Sequence, residues 1–383
     1  DFNGDGYDEF LLGAYPINRL YMLMGKASGW SATYNASTFT TNLGMIINGS
    51  GTFTSALGGG GDFNGDGYDD IIVGATSDAS NGANSGKAYL IFGSPEAYST
   101  SAYSTGSLNT PGVFCSGCSP ACDDTCNGYT LEKRACQGGS CNITSSTSNS
   151  PLCGYEPICT PGTGIIFYGA SSADYAGTAV GGGGDFNGDG KADIVTGAYA
   201  GPDRNNWGSG VEYGLYGKDT GWTSPFILSS ISSGTTGFKL SRPASSSVSD
   251  ALGKGTTYIG DVNNDGYDDL FIGAPDTDPA GWGWPDYTAQ GYVLLGKASL
   301  STSAGWKDLA GGSGLGSAGG QIKGNQYRFG LSVSPAGDTN GDGYDEFITG
   351  DYGWSTDPGA AYLWMGGSYW PNSTWDTASP SGT

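Results

Sequence analysis

Carboxylates recur in this chain at a fixed spacing that suits a metal ion. Residues 58–75 read GGGGDFNGDGYDDIIVGA, in which Asp62, Asn64, Asp66 and Asp70 occupy positions 1, 3, 5 and 9 of a tight loop. Alternate residues of such a loop direct oxygens towards one point, and the carbonyl at position 7 adds another. Ca²⁺ takes about six to eight oxygen ligands, whereas Mg²⁺ prefers a strict octahedron and keeps its waters. The stretch therefore predicts a calcium loop.

The same loop occurs five times. Each copy offers side chains at positions 1, 3, 5 and 9 and a carbonyl at position 7: Asp1, Asn3, Asp5, Tyr7 and Glu9; Asp62, Asn64, Asp66, Tyr68 and Asp70; Asp185, Asn187, Asp189, Lys191 and Asp193; Asp261, Asn263, Asp265, Tyr267 and Asp269; and Asp338, Asn340, Asp342, Tyr344 and Glu346. A single copy could be a metal-free turn stabilised by Asp and Asn side chains. Five complete copies instead predict about five structural Ca²⁺ ions.

Two features limit the ligand set. Position 8 is Asp in four loops but Ala192 in the third, so we leave Asp8, Asp69, Asp268 and Asp345 out of it. An EF-hand would need Glu at position 12 between two helices. Position 12 is instead Leu12, Val73, Thr196, Ile272 or Thr349, inside β-branched segments. The EF-hand interpretation therefore fails.

Short apolar strands surround every loop. A strand such as DIIVGA follows the loop, an alternating strand such as KAYLIFGS comes later, and a Gly-rich strand precedes the next loop. One four-stranded sheet cannot bury both faces alone, so such units pack face to face around an axis. We expect an all-β fold, a single β-propeller over residues 1–383 with five repeats of about four antiparallel strands. The repeats are expected at about 1–50, 51–110 plus 160–170, 171–240, 241–312 and 313–383.

The loops and strands together resemble a known family. GDFNGDGYDDIIVGA (61–75) and GDVNNDGYDDLFIGAP (260–275) are similar to FG-GAP repeats, the units of the integrin α-subunit N-terminal propeller and its bacterial and archaeal relatives. Phe329-Gly330 matches the FG, and Gly273-Ala274-Pro275 matches the GAP in full. The resemblance implies a calcium-binding propeller. Integrin propellers have seven blades with calcium loops in some of them, whereas here all five repeats carry the loop.

The ends of the chain raise a question about ring closure. In three repeats 37 to 44 residues separate the glycine that closes the alternating strand from the next loop, but only 17 residues follow Gly366. The strand that would close five blades is expected either upstream of Asp1 or from a neighbouring subunit, which would assemble a polymer. A fragment of a seven-bladed propeller is the alternative.

All eight cysteines lie between Cys115 and Cys159. An even number packed into one segment predicts a disulfide-rich insert, which we place at 111–160. A zinc-thiolate site is the rival, suggested by Cys115 and Cys118 at C-x-x-C spacing. The sequence assigns no disulfide pairing.

Charge and composition exclude several functions. The net charge is −22, which argues against nucleic acid or an anionic membrane as a partner, and 19 of the 37 acidic residues lie in the five loops. The charge is therefore local rather than spread as in halophilic proteins. The chain has no His, which excludes His-dependent catalysis and His-ligated metals. We find no apolar run long enough to cross a bilayer.

An extracellular or cell-surface location is expected from the Cys-rich insert and from N-x-[ST] sequons at Asn35, Asn48, Asn142 and Asn372. The first functional hypothesis is an adhesion or assembly module, including a surface-filament or sheath subunit. Its partners would be proteins or further copies that bind the incomplete terminal blade. The alternative is a carbohydrate-binding or carbohydrate-active propeller of the lectin or lyase type, with a glycan ligand.

Tryptophans and acidic residues outside the loops are the candidate site residues for the carbohydrate-binding or carbohydrate-active alternative. Sugars could stack on Trp30, Trp222, Trp282, Trp284, Trp306 and Trp354. Three of these recur at one repeat position and are expected to pack between blades, which leaves Trp282 and Trp284 in PAGWGWPDY as the better binding candidates. A hydrolase would need a carboxylate pair from Asp203, Glu212, Asp276, Asp278 and Asp286. No spacing selects a pair, so no catalytic residue is predicted and the sequence favours a non-enzyme.

Overall fold

The chain forms β-sheets joined by loops. The computed structural model describes residues 1–40, 43–94, 103–104, 125–127, 130–137, 140–148, 164–200, 210–219, 221–241, 251–275, 289–298, 318–324, 328–351, 358–370 and 374–376. Helical structure in these residues consists of the short 3-10 turns Tyr15–Ile17, Ala36–Thr38 and Leu228–Ser230. Across the same residues we found no helix with the length and hydropathy of a bilayer-spanning segment.

The first part of the chain supplies two large sheets. Sheet 1 contains β1 (Phe10–Ala14), β2 (Arg19–Leu23), β3 (Gly44–Asn48) and β7 (Tyr103–Ser104). Sheet 2 contains β4 (Phe53–Gly59), β5 (Ile71–Ala75), β6 (Lys87–Ile91), β11 (Gly164–Tyr168) and β15 (Phe226–Ile227). The Cys-rich insert lies between β6 and β11 in sequence. It forms a small separate sheet of β8 (Thr125–Asn127), β9 (Thr130–Gln137) and β10 (Ser140–Ser148).

Three further sheets follow in chain order. Sheet 3 contains β12 (Ala176–Gly184), β13 (Asp193–Ala198), β14 (Val211–Leu215) and β16 (Gly237–Ser241). Sheet 4 contains β17 (Gly255–Gly260), β18 (Asp269–Ala274), β19 (Gln290–Leu294), β20 (Gly319–Lys323) and β24 (Thr374–Asp376). Sheet 5 contains β21 (Ser332–Gly337), β22 (Glu346–Asp351) and β23 (Ala360–Trp364). The prediction of an all-β fold with several antiparallel sheets is confirmed, and closure into a propeller stays a prediction.

The last strand of three sheets comes from farther along the chain. β7 pairs with β3, β15 with β11, and β24 with β20, and all three pairings are parallel. In sheet 2 this strand follows β14, which already belongs to sheet 3. A parallel pair needs a long crossover connection, and here the crossover carries the chain through the following sheet. Neighbouring sheets are thus linked by backbone as well as by side chains.

The sheets stack face to face in chain order. β1 contacts β4, β4 contacts β12, β12 contacts β17, and β17 contacts β21. β4 and β12 approach so closely that a Cβ added to Gly58 would lie 3.2 Å from the Cα atom of Gly181. The glycine runs that precede the acidic loops therefore let successive sheets come together.

Alternation along each strand produces a core on both faces of a sheet. In β5, Ile71 and Val73 join the core shared with sheet 1, whereas Ile72 joins the core shared with sheet 3. In β18, Ile272 joins the core shared with sheet 3, and Phe271 joins the core shared with sheet 5. Four apolar cores of this kind hold the five sheets together.

Candidate metal centres

Each acidic loop lies directly before the second strand that its repeat contributes. Four of the loops connect β4 to β5, β12 to β13, β17 to β18 and β21 to β22, and the loop that begins at Asp1 leads into β1. The candidate ligands of all five loops therefore lie at the same end of their sheets. The flanking elements are strands, which agrees with the rejection of an EF-hand.

One hydrogen-bond pattern orders the side chains of every loop. In the fourth loop the N–H of Asp265 donates to Oδ1 of Asp261 (3.0 Å) and to Oδ1 of Asn263 (3.0 Å), and the amide group of Asn263 donates to Oδ2 of Asp265 (2.9 Å). The same three bonds recur among positions 1, 3 and 5 of the other four loops. The oxygens at these positions are thus held close together.

Left-handed backbone at positions 4 and 6 makes the loop this tight. Position 6 is Gly in all five copies, with φ between 85° and 90°. Position 4 is Gly in four copies and Asn264 in the fourth loop, where φ is 57°. Gly adopts this region without steric cost and Asn tolerates it.

The position-9 carboxylate ties the loop to the end of the second strand that follows the loop. One oxygen of Asp269 accepts from the N–H of Val262 at 2.9 Å, and the other accepts from the N–H of Gly296 at 2.9 Å. Asp70, Asp193, Glu9 and Glu346 make the equivalent pair of bonds, longer on the strand side (3.4 Å) in the two Glu copies. Position 9 therefore has a structural role whether or not it binds a metal.

Burial makes ionisation of the position-9 aspartates unfavourable. The pKa of Asp70, Asp193 and Asp269 is raised to about 8, chiefly because each side chain is buried. The backbone N–H donors oppose this increase in pKa, and the other carboxylates of the same loop add to it. Negative charge is thus concentrated beside a desolvated carboxyl group in each of these loops.

Position 8, which we did not include among the ligands, joins neighbouring repeats. Oδ2 of Asp268 accepts from the N–H of Asp185 at 2.7 Å, and the N–H of Asp268 donates to the carbonyl of Asp185 at 3.2 Å. Asp345 makes the same two contacts with Asp261, and Asp69 accepts from the amino nitrogen of Asp1 and donates its N–H to the carbonyl of Asp1. The recurrence of Asp at position 8 in four loops was the signal for this role.

Two further contacts occur at the junctions between loops. Gly296, which donates to Asp269, is followed by Lys297. The N–H of Lys297 donates to the carbonyl of Phe186, at position 2 of the preceding loop, at 2.8 Å, and the equivalent residue does the same at the other junctions. At two junctions the position-7 ring covers position 4 of the preceding loop: a Cβ on Gly188 would lie 2.4 Å from the ring of Tyr267, and one on Gly4 would lie 2.5 Å from the ring of Tyr68. Gly at position 4 therefore leaves room for this ring.

The junction between the second and third loops differs. The N–H of Ala192 still donates to the carbonyl of Asp62 at 3.1 Å, but Ala192 has no carboxylate that could accept from the N–H of Asp62. Here position 7 is Lys191, whose Nζ lies 2.9 Å from Oδ1 of Asp219 beside Gly65 of the second loop. A surface ion pair thus lies where the first and third junctions have a tyrosine ring.

Two tryptophans at the shared repeat position have different surroundings. Trp222 packs against Phe63 and Phe167 of the preceding repeat, with ring centroids 5.8 and 5.7 Å away, which confirms the predicted packing between repeats. Trp30 is 43% exposed and contacts Phe10 of its own repeat. Trp282, Trp284, Trp306 and Trp354 lie outside the described residues.

Of the five acids considered for catalysis, one, Glu212, lies among the described residues, so the structure identifies no pair. Glu212 is fully buried in β14, and neither of its carboxylate oxygens has a hydrogen-bond partner. The nearby hydroxyl group of Thr256 donates instead to the carbonyl of Phe271 at 3.1 Å. Asp203, Asp276, Asp278 and Asp286 lie outside the described residues.

The donor set of each loop fits a hard cation. Every candidate ligand is a carboxylate, amide or carbonyl oxygen, and no sulfur or nitrogen donor is present in the motif. Each carboxylate oxygen has two lone pairs, so the N–H bonds described above leave acceptor capacity. In the described part of the chain no three His, Cys, Asp or Glu side chains form a metal-binding group by themselves.

The comparison with protein families agrees with this architecture. The model of the FG-GAP repeat matches residues 53–91, 176–211 and 256–295. These segments contain the first two strands and the acidic loop of sheets 2, 3 and 4, and they extend into or through the third strand. The chain thus contains three FG-GAP repeats. The search of curated proteins found no match.

Proposed function

We propose that this chain is an extracellular, calcium-stabilised module of the β-propeller type that works by adhesion or assembly rather than by catalysis. The observation that carries the proposal is the exposure of apolar side chains on sheets 1 and 5. Phe10 and Leu12 on sheet 1 and Ile348, Leu363 and Met365 on sheet 5 are between 40% and 60% exposed. Ile348 and Leu363 are paired across β22 and β23, and Phe10 and Leu12 lie on one face of β1, so each pair places exposed apolar side chains side by side, as interaction sites do.

Calcium would be held by positions 1, 3, 5, 7 and 9 of each loop. Support comes from the all-oxygen donor set, its spacing and the identical ordering of positions 1, 3 and 5 in five copies. A bound dication would offset carboxylate repulsion at the edge where neighbouring loops meet. Extracellular modules bind Ca²⁺ with dissociation constants of about 10⁻⁴–10⁻³ M, and binding to the folded state alone raises stability.

The extracellular location rests on the FG-GAP repeats, the Cys-rich insert and the sequons. Asn35 is exposed, and its Oδ1 accepts from the N–H of Ser37 at 2.9 Å. Asn48 is half-buried, and its side chain accepts from Nε of Arg19 at 2.9 Å. We therefore expect a glycan on Asn35 before one on Asn48.

Antibody labelling of intact cells that produce the chain naturally tests this function. Surface signal that is lost after brief protease treatment of whole cells, with a cytoplasmic marker left intact, supports the proposal. Signal that appears only after the cells are permeabilised contradicts it.

A carbohydrate-binding function is the second candidate, because Trp30 exposes an aromatic surface with Phe10 and Tyr34 beside it. Aromatic faces of this type stack on sugars. Binding of the chain to a glycan array, lost on Trp30→Ala or on Trp284→Ala, would favour this candidate over a protein-binding module.

A further inference from the structure

The small sheet of the Cys-rich insert places two cysteines opposite each other. β9 and β10 are antiparallel, and their register pairs Cys136 with Cys141. Gly138 and Gly139 separate the two strands in sequence. The two cysteines therefore occupy facing positions close to the connection between the strands.

The spacing of facing residues suits a disulfide bond. In an antiparallel pair, directly opposite Cα atoms are about 5.5 Å apart where the two residues exchange hydrogen bonds and about 4.5 Å apart where they do not. A disulfide joins Cα atoms that are about 4.4–6.8 Å apart. Both kinds of pair fall within that range. Cys136 and Cys141 can thus be joined without a movement of either strand.

Cys126, in β8 of the same sheet, lies on the other face. The register of β8 and β9 pairs Cys126 with Leu131. Successive residues of a strand alternate between the two faces, and an odd number of positions separates Leu131 from Cys136 in β9. A bond from Cys126 to Cys136 or Cys141 would have to cross the sheet. The register therefore separates Cys126 from the facing pair.

The sheet has little apolar surface to hold it together. Apart from cysteine, the apolar residues of its three strands are Leu131, Ala135 and Ile143, and Ser, Thr and Asn occupy most of β10. Small sheets need a hydrophobic face or a covalent cross-link for stability. A bond between β9 and β10 would fix a register that packing alone specifies weakly.

From this placement we infer that Cys136 and Cys141 form a disulfide bond with each other. The inference goes beyond the proposed adhesion function, because it assigns one bridge within the insert. It leaves six of the eight cysteines, Cys126 among them, to pair with one another.

Formation of the bond needs an oxidant, which a small-molecule or protein disulfide supplies. The thiolate of one cysteine attacks a sulfur of this oxidant, and half of the oxidant leaves as a thiolate. The thiolate of the second cysteine then attacks the cysteine sulfur of the mixed disulfide, and the other half leaves. The two cysteines lose two protons and two electrons in total, and the oxidant is reduced to two thiols.

Peptide mapping of the 383-residue chain tests the inference. The unglycosylated chain is equilibrated with reduced and oxidised glutathione, its free thiols are alkylated in denaturant, and trypsin and chymotrypsin cleave it after Arg134 and Leu152. Peptide 135–152 contains Cys136 and Cys141 and no other cysteine. It should be recovered as a single peptide, two hydrogen atoms lighter than its reduced form. A peptide joined covalently to another segment, or one with alkylated thiols as zinc ligands would give, overturns the inference.

Free-thiol counts in denaturant provide a second measurement. Cys136→Ser should expose one thiol more than wild type, whereas Cys136→Ser combined with Cys141→Ser should expose none more. The matched control combines Cys136→Ser with Cys126→Ser and should expose two more, because each substitution removes the partner of a different cysteine. Two additional thiols in the variant that lacks Cys136 and Cys141 would overturn the inference.

The outcome is independent of the cell-labelling experiment, since the oxidant is supplied in the buffer. A chain that fails the surface-labelling test and still yields the bridged peptide 135–152 refutes the location and supports the pairing. A surface-located chain without the bridged peptide refutes the pairing and supports the location.

Discussion

Oδ2 of Asp268 lies 2.7 Å from the backbone nitrogen of Asp185, although the two residues belong to different acidic loops. Three of the four junctions between loops contain this bond. The acidic loops are therefore a connected row, in which each loop both folds on itself and holds its neighbour. The same residues that suggest metal binding also determine how the sheets are stacked.

Removal of one inter-loop carboxylate should destabilise the fold. We expect Asp268→Ala to lower the free energy of unfolding by about 1–2 kcal/mol, because hydrogen bonds to charged groups contribute about 1.5–3 kcal/mol and this one is half-buried. Urea unfolding followed by tryptophan fluorescence measures it. Asp8→Ala is the control, since the side chain of Asp8 is exposed. Equal unfolding midpoints for the two variants would refute the inter-loop role of position 8.

Loss of the position-9 carboxylate should lower the free energy of unfolding more than loss of the position-8 carboxylate does. Asp269→Ala leaves the N–H groups of Val262 and Gly296 without their acceptor in a buried site, so we expect a loss of about 2–4 kcal/mol. The measurement is urea unfolding in excess chelator, which isolates the structural role from any metal. A midpoint within error of wild type under those conditions would contradict the role assigned to Asp269.

The need for left-handed backbone at position 6 can be tested without changing a candidate metal ligand. Gly266 has a φ of 90°, and no atom lies within 4 Å of the position that a Cβ would take. Gly266→Ala therefore adds backbone strain without a steric clash. The expected loss of stability is about 1–2 kcal/mol. Asn264→Gly, at φ of 57°, should be neutral within about 0.5 kcal/mol. Thermal melting measures the stability of both variants. A Gly266→Ala variant as stable as wild type would show that the loop does not need this conformation.

Glu212 should make stability depend on pH. Burial raises the pKa of this carboxyl well above its ordinary value. Above the ordinary pKa the unfolded chain releases the proton that the folded chain retains, so the free energy of unfolding falls as pH rises. The slope reaches about 1.4 kcal/mol per pH unit until the folded pKa is passed.

Urea unfolding of wild type and of Glu212→Gln between pH 5 and 9, at saturating calcium, isolates this contribution. The difference in free energy of unfolding between the two proteins should shift with pH in favour of the variant. A difference that stays constant over the whole range would mean that Glu212 is not a neutral acid in the folded protein.

Several features were accessible from the sequence because they follow from local chemistry. The loops, the strands after them and the β-sheet fold depend on spacing and alternation that residues such as Asp62 and Ile72 show directly. The packing of Trp222 was predictable from its repeat position. The role of Asp268 was missed because Ala192 suggested that position 8 was dispensable, and a contact between loops leaves no pattern within one loop. The parallel pairing of the two-residue strand Phe226–Ile227 with β11 depends on tertiary contacts and has no local signal.

Calcium binding is the central claim, and isothermal titration calorimetry of the chelator-treated chain tests it most directly. We predict about five bound ions per chain, one for each acidic loop, with dissociation constants of about 10⁻⁴–10⁻³ M and a melting temperature that rises with calcium. The double variant Asp261→Ala and Asp265→Ala should bind one ion fewer. A chain that binds no calcium at millimolar concentration, with a melting temperature that the ion does not change, would contradict the account.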